Sequence, residues 1–167
     1  MPTSPQSDVQ RIQQLVGAIV LICQDAERYL KVTLPFIGSE EAGLGAALKR
    51  LEKLRKRTLG ELAGKLVESS TSDSIDFAEY MAYLVASRNQ VVHHFNETFS
   101  AQISSGAHQD IISDLEGLHA NLKEFRSSLE QMALFVLEQL RDVTYHGTPE
   151  YEQFAALCAS FRQRIAS

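Results

Sequence analysis

The residues that could carry chemistry lie near the middle of the chain, where Arg88 and Asn89 are followed within a few residues by His93 and His94. An arginine binds a phosphate through two parallel N–H···O bonds and stabilises negative charge that develops on it. A histidine has a reference pKa of about 6.5 and exchanges protons near neutral pH. These side chains therefore suit a reaction at phosphate, in which one group holds charge and another moves a proton.

Arg88 stands at a position that the helical pattern assigns to the core. The apolar face of its segment is formed, at helical spacings, by Phe77, Met81, Leu84, Val91 and Phe95. A guanidinium in such a stripe is costly unless it is paired or reaches a cleft, and arginine does not lose its charge in proteins. Either a buried carboxylate such as Glu27 pairs with Arg88, or Arg88 faces an anion-binding site.

A second face of the same segment carries small residues. Ala82, Ala86, Asn89 and His93 recur at spacings of three and four, so they share one side of a helix. Small side chains there allow another helix to approach closely. Because one chain shows only one position with a convincing acid/base group, a two-fold dimer that brings two copies together is chemically attractive.

The segment Arg88-Asn89-x-x-Val92-His93-x-Phe95 resembles the arginine-x(4–6)-histidine signature of the HEPN superfamily (higher eukaryotes and prokaryotes nucleotide-binding domain), including its usual asparagine after the arginine. The Thr58-Leu59-Gly60 segment and the helical context also look like prokaryotic HEPN proteins. The resemblance covers about residues 8–143. It implies a helical bundle that dimerises and acts as a metal-independent endoribonuclease leaving a 2′,3′-cyclic phosphate, often as a toxin or anti-phage effector.

The same resemblance implies roles for individual residues. His93 would be the general acid/base, Arg88 the phosphate and transition-state clamp, and Asn89 the residue that orients them; His94 is a secondary candidate because it gives an alternative spacing. Phe95 departs from a toxin subset that has tyrosine at this position, which a partner nucleotidyltransferase modifies, so inactivation there is excluded. The implied partners are RNA, a second copy of the chain and a cognate antitoxin or regulator, with no metal or cofactor.

Two competing functions remain open at this stage. The first is the HEPN-type endoribonuclease with a composite site at a dimer interface. The second is a catalytically inactive helical module that binds a protein, a nucleic acid or a nucleotide, since some HEPN proteins have lost activity.

A basic segment offers a second feature for nucleic-acid binding. The residues predicted to contact RNA are Lys49, Arg50, Lys53, Arg55, Lys56 and Arg57. Together with Lys65 and two intervening glutamates they give a local charge of +5 in a chain of net charge −5. Such asymmetry makes a local anion-attracting patch on an acidic protein, although a solvated helix face gives the same pattern.

The hydrophobic periodicity predicts helices throughout and no sheet. A flexible tail over 1–7 precedes a single domain over 8–167, with a core over 8–143. The predicted helices cover 8–34, 39–67 with a break capped by Thr58, 76–99 after an N-cap at Asp76, 107–143, and 149–165 after an N-cap at Thr148. The segment 100–106 is predicted to be a loop. The expected fold is an all-α, up-and-down, HEPN-like bundle of four to five helices.

Composition places the chain among soluble globular proteins. Its 167 residues are 44% hydrophobic and 22% charged, which suits one domain with a sizeable core. No apolar stretch is long enough to cross a bilayer. Cys23 and Cys158 both fall in apolar helical contexts, so buried free thiols and a reducing cytoplasm are expected.

Overall fold

The computed structural model describes residues 5–37, 44–70 and 75–166, and within these ranges the chain is helical and contains no strand. The predicted all-α class is therefore confirmed. Its helices are α1 (Pro5–Thr33), α2 (Leu44–Leu54), α3 (Leu59–Ser69), α4 (Ile75–His93), α5 (Phe95–Thr98), α6 (Ser100–Ser105), α7 (His108–Tyr145) and α8 (Tyr151–Ala166), with a 3₁₀ turn at Leu34–Phe36.

The pairing of α1 with α7 is the centre of the fold, because the two helices run parallel and pack along most of α1. In the predicted up-and-down bundle the first and fourth long helices would be antiparallel, so that order of directions is wrong for this pair. Arg11 donates to Glu116 near one end of the pair, and Tyr29 donates to Glu130 near the other. Ile19 and Leu30 on α1 and Leu122 on α7 are completely buried. The predicted α1 stripe is correct from Ile12 onwards but wrong at Val9, which is 42% exposed.

Helices α3 and α4 lie against this pair and position the candidate site. Thr58 precedes α3 as its N-cap residue, as predicted, and its backbone N–H donates to Glu61 Oε2 at 2.8 Å. A Cβ added to Gly60 would lie 3.4 Å from a methyl of Val85, so the start of α3 lies close to the middle of α4. The two helices are antiparallel, because Glu68 and Ala78 line the other end of the same groove.

The predicted bounds of α4 were wrong at its carboxyl end. The sequence predicted one helix from 76 to 99, but α4 ends at His93, and His94 has non-helical backbone angles (φ −128°, ψ 26°). The break returns Phe99 to the core, where it is 6% exposed and its ring lies 5.0 Å from that of Phe95, tilted by 49°. Asp76 lies inside the first turn of α4 instead of capping it.

The loop predicted for 100–106 is instead helix α6. Its serines hydrogen-bond to the backbone of their own turn, since Ser104 Oγ donates to the carbonyl of Ser100. Gly106 then ends α6 with φ 72°, a left-handed conformation that glycine adopts without strain.

The remaining bounds differ from prediction by a few residues. Residues 5–7 belong to α1 and not to a flexible tail, and the predicted start of the second helix near 39 lies outside the described residues. Leu48, predicted to be in the apolar stripe, is 53% exposed. The last helix begins at Tyr151, after a turn in which Gly147 has φ 76°. None of the described helices is both long enough and apolar enough to cross a membrane.

Candidate functional site

Arg88 joins the predicted site residues through a single nitrogen. Its Nη1 donates to Asn89 Oδ1 at 2.9 Å and also lies 3.0 Å from His93 Nε2. The guanidinium only donates, so Nε2 of His93 must accept, and the ring proton lies on Nδ1. The structure therefore brings together the arginine, the amide and one imidazole, as the helical spacing predicted.

Arg88 is a charged residue on the apolar face of α4, as its position in the sequence indicated. Its neighbours on the α4 stripe, Leu84 and Val91, are 2% and 4% exposed. The side chain of Arg88 is half-buried, and its Nε is buried with no hydrogen-bond partner among the described residues. An unpartnered donor of this kind is unfavourable in a folded protein and marks a group whose hydrogen-bonding capacity the described residues do not fill.

The interpretation that Glu27 pairs with Arg88 is wrong in this structure. Glu27 accepts from Lys31 at 2.6 Å, one turn along α1. Among the residues described, no carboxylate lies within ion-pair distance of Arg88. The charge of Arg88 is therefore shared only with neutral acceptors.

Arg88 also influences the buried thiol of Cys23 on α1. Burial raises the pKa of Cys23 to about 11, while the positive charge of Arg88 acts in the opposite direction and lowers it. The side chain of Arg88 thus bridges the core beside α1 and the exposed surface at His93. Cys158 is also a free, buried cysteine.

A groove between α3 and α4 leads to this site. It has a volume of about 610 Å³, and its small lining residues include Gly60, Ala63, Gly64, Ala82 and Ala86. Asn89 lines the same groove. The predicted small-residue face of α4 is therefore open to solvent along much of its length, because Ala82 and Ala86 are exposed.

The basic residues divide into two groups. Lys49, Lys53, Arg55 and Lys56 have exposed side chains. By contrast, Arg50 Nε donates to the carbonyl of Pro35 at 2.8 Å, and Arg57 pairs with Glu61 at 2.5 Å. Because the basic turn comes just before α3, and the start of α3 lies close to Val85, this turn lies at the same end of the α3–α4 pair as Arg88.

Glu97, which belongs to the polar group at the end of α4, was not predicted from the sequence. Nδ1 of His94 lies 3.0 Å from Oε2 of Glu97, and both side chains are largely exposed. The rings of His93 and His94 are 6.4 Å apart and steeply inclined, at 72°. The His-x-x-Glu spacing was the available signal, since residues three apart are neighbours on a helical turn.

The other histidines do not join this group, since His108, His119 and His146 lie on α7 or just after it. In the described part of the chain, no three His, Cys, Asp or Glu side chains are arranged to hold a metal ion. Phe95 is half-buried and packs against the core, so its ring is not presented as a free surface group.

Comparisons with protein-family models, with curated proteins and with solved structures give no significant match for this chain. The assignment of function therefore depends on the residues of this site and on the motif that they form.

Proposed function

We propose that this protein is a metal-independent endoribonuclease of the HEPN type, with Arg88, Asn89 and His93 as its catalytic group. The observation that carries the proposal is the arrangement of Arg88, whose Nη1 holds Asn89 and His93 at 2.9 and 3.0 Å. An arginine without a carboxylate partner, in hydrogen-bond contact with an imidazole, is suited to bind a phosphodiester and move a proton beside it.

The proposed reaction uses the nucleophile that RNA itself carries. A phosphate oxygen takes the place of His93 Nε2 on the guanidinium of Arg88, which frees Nε2 to accept the proton of the 2′-hydroxyl. The O2′–P bond forms, the P–O5′ bond breaks, and a 2′,3′-cyclic phosphate and a 5′-hydroxyl result. Arg88 stabilises the charge that develops on the non-bridging oxygens, and Asn89 fixes the guanidinium in place.

The groove between α3 and α4 supports a homodimer as the active form. Small side chains on both walls of the groove allow a helix of a second copy to approach closely. Asn89, a member of the proposed catalytic group, also lines this groove. A two-fold axis there would bring two sets of Arg88 and His93 to one cleft. Light scattering at micromolar concentration tests this part, and a monomer would remove the composite site.

The basic turn supports RNA as the substrate. Arg55 and Lys56 are exposed and lie at the end of α3 that faces the catalytic residues. Their charges can follow an RNA backbone into the site. The double change Arg55→Glu with Lys56→Glu is expected to weaken RNA binding at low salt without loss of folding; unchanged binding would remove this surface from the proposal.

The deciding experiment is incubation of total bacterial RNA with the purified protein in excess EDTA. Wild type is expected to cleave, and His93→Ala to lose about 10²–10⁴-fold in rate, because proton transfer by a positioned side chain contributes that much. His146→Ala is the matched control, since His146 is exposed and lies outside the site.

A well-folded wild type that cleaves no RNA would contradict the proposed ribonuclease activity. If that protein still binds RNA or a nucleotide, it is the inactive binding module. A toxin or anti-phage role would follow from cleavage together with growth arrest on expression, relieved in His93→Ala. A cognate antitoxin is expected to cover the same cleft.

A further inference from the structure

We infer that His94 is a second catalytic residue, the general acid, and that Glu97 is the residue that positions it. This inference rests on the proposed ribonuclease function. It differs from the idea that a second copy of the chain must supply the other proton-transfer group, because His93 and His94 of one protomer would hold both. The observation behind it is the contact of 3.0 Å between His94 Nδ1 and Glu97 Oε2.

The geometry gives the two histidines different chemical states. A carboxylate only accepts, so Nδ1–H of His94 donates to Glu97 and leaves Nε2 directed away from that bond. His93 has the opposite arrangement, since its Nε2 accepts from Arg88. One ring is thus arranged to take a proton, and the other to give one.

The backbone supports a role beyond helix stability. His94 is the residue at which α4 breaks, and Glu97 lies in the short helix α5 that follows. Both side chains are mostly exposed, at 63% and 77%. An exposed ion pair three residues apart contributes little to folding, so the pair can be removed without unfolding the protein. The ring of His94 lies 6.4 Å from that of His93, measured between centroids, so both imidazoles lie at the same exposed end of α4.

The proposed step balances within the transesterification. His93 Nε2 takes the proton of the 2′-hydroxyl as the O2′–P bond forms. Nε2 of the His94 imidazolium gives its proton to O5′ as the P–O5′ bond breaks. After product leaves, solvent returns the proton to His94 and removes it from His93. Glu97 keeps its proton count throughout and acts only by holding the ring of His94.

A change of leaving group tests the acid directly. The cleavage site is first mapped on an ordinary oligoribonucleotide, and a second oligonucleotide then carries sulfur in place of the bridging O5′ at that linkage. A thiolate leaves without protonation, so it does not require a general acid. His94→Ala is expected to lose about 10²-fold on ordinary RNA and Glu97→Gln less, while both recover most of the wild-type rate on the sulfur-containing RNA. His93→Ala stays impaired on both.

The outcomes separate this inference from the proposed function. A wild type inactive on both substrates overturns the ribonuclease itself. An active wild type with no loss in His94→Ala, or with equal losses on both substrates, overturns the acid role alone. Glu79→Gln is the matched control for Glu97→Gln, because Glu79 is an exposed acid on α4 with no histidine beside it.

Mixing two inactive variants tests whether one protomer holds both groups. His93→Ala and His94→Ala chains are unfolded together, refolded and assayed. If both histidines must come from one chain, no mixed dimer contains a complete site and the mixture stays inactive. If a site takes His93 from one copy and His94 from the other, the mixed dimer regains one site; that rescue would overturn the single-protomer arrangement.

Discussion

Two half-buried arginines in this bundle have opposite surroundings. Arg126 on α7 lies at the seam with α1, 3.2 Å from Glu130 on its own helix and 3.9 Å from Asp25 on α1. Arg88 on α4 contacts Asn89 and His93, neither of which brings a negative charge. The first cation is neutralised by two carboxylates, whereas the second is not.

The contrast separates a structural ion pair from a candidate binding site. At the α1–α7 seam, Glu130 accepts from both Arg126 and the hydroxyl of Tyr29, so each charged group has a partner across or along the helices. Such pairing offsets the cost of removing charges from water. For Arg88 on α4, the cost of removing the charge from water is offset only in part. A partly buried cation with unfilled donors is retained more readily when an external anion completes it.

Among changes that test this contrast, removing the charge of Arg88 is expected to have the largest effect. Arg88→Met keeps the length and apolar character of the side chain but removes its phosphate-binding edge. Cleavage is expected to fall by about 10²–10³-fold, the range for loss of one donor to a developing oxyanion. The free energy of unfolding is expected not to fall, because the change also removes a buried N–H without a partner. Cleavage assays and urea unfolding measure the two quantities.

Arg126→Met is the matched variant at the α1–α7 seam, and it should lower stability without affecting cleavage. Cleavage is expected to be unchanged. The free energy of unfolding should fall by about 1 kcal/mol, since Arg126 is partly solvated and Glu130 keeps only Tyr29 as a partner. If Arg88→Met were the more destabilising of the two, Arg88 would be a structural cation and the contrast would disappear.

The next effect concerns Cys23, which lies between the two regions. Burial raises the pKa of its thiol to about 11, so the folded protein holds this proton at a pH where the unfolded chain has lost it. Stability from this group is therefore complete below the unfolded pKa of about 8.5 and is lost as pH rises towards the folded value. Between pH 8 and pH 10 the loss should reach about 2 kcal/mol.

Comparing how steeply the unfolding free energy falls with pH in different variants separates the contribution of Cys23 from those of other titrating groups. Cys23→Ala should show a shallower decline of unfolding free energy over the same pH interval, even though its absolute stability is lower. Arg88→Met should follow wild type up to about pH 10 and decline more steeply above it, because the charge that favours the folded thiolate is gone. Equal slopes of these two proteins above about pH 10 would mean that Arg88 does not act on the α1 core.

Much of the fold followed from local pattern, because helix periodicity is a local property. The cap at Thr58 was predicted correctly, and so was the apolar stripe of α7 from Ile111 to Leu129. The stripe was also predicted to reach Val143, which is 83% exposed. The break at His94 was missed, since the apolar positions beyond it, Phe95 and Phe99, continue the helical period. What decides the break is the tertiary position of Phe99 in the core, which the spacing does not contain.

The candidate site, like the fold, could be predicted only in part from the sequence. Arg88, Asn89 and His93 lie within two turns of one helix, so their meeting is set by helix geometry. The absence of Glu27 as a partner was not predictable, because Lys31 competes for that carboxylate from the same helix. Glu97 was overlooked although its spacing from His94 was visible in the sequence, because the motif that was matched ends at Phe95.

The smallest expected effect tests whether the groove between α3 and α4 receives a second copy. A Cβ added at Gly64 would meet no atom within 4 Å, so Gly64→Ala fits the isolated chain. It should stabilise the monomer by about 1 kcal/mol through helix propensity. The added methyl nevertheless occupies the groove, so dimer formation should weaken by a few-fold. Gly117→Ala on α7 also meets no atom within 4 Å and should give the same gain in stability without any change in dimerisation. If both variants dimerise like wild type, the copies meet elsewhere, and Arg88 lies at the edge of the interface or outside it.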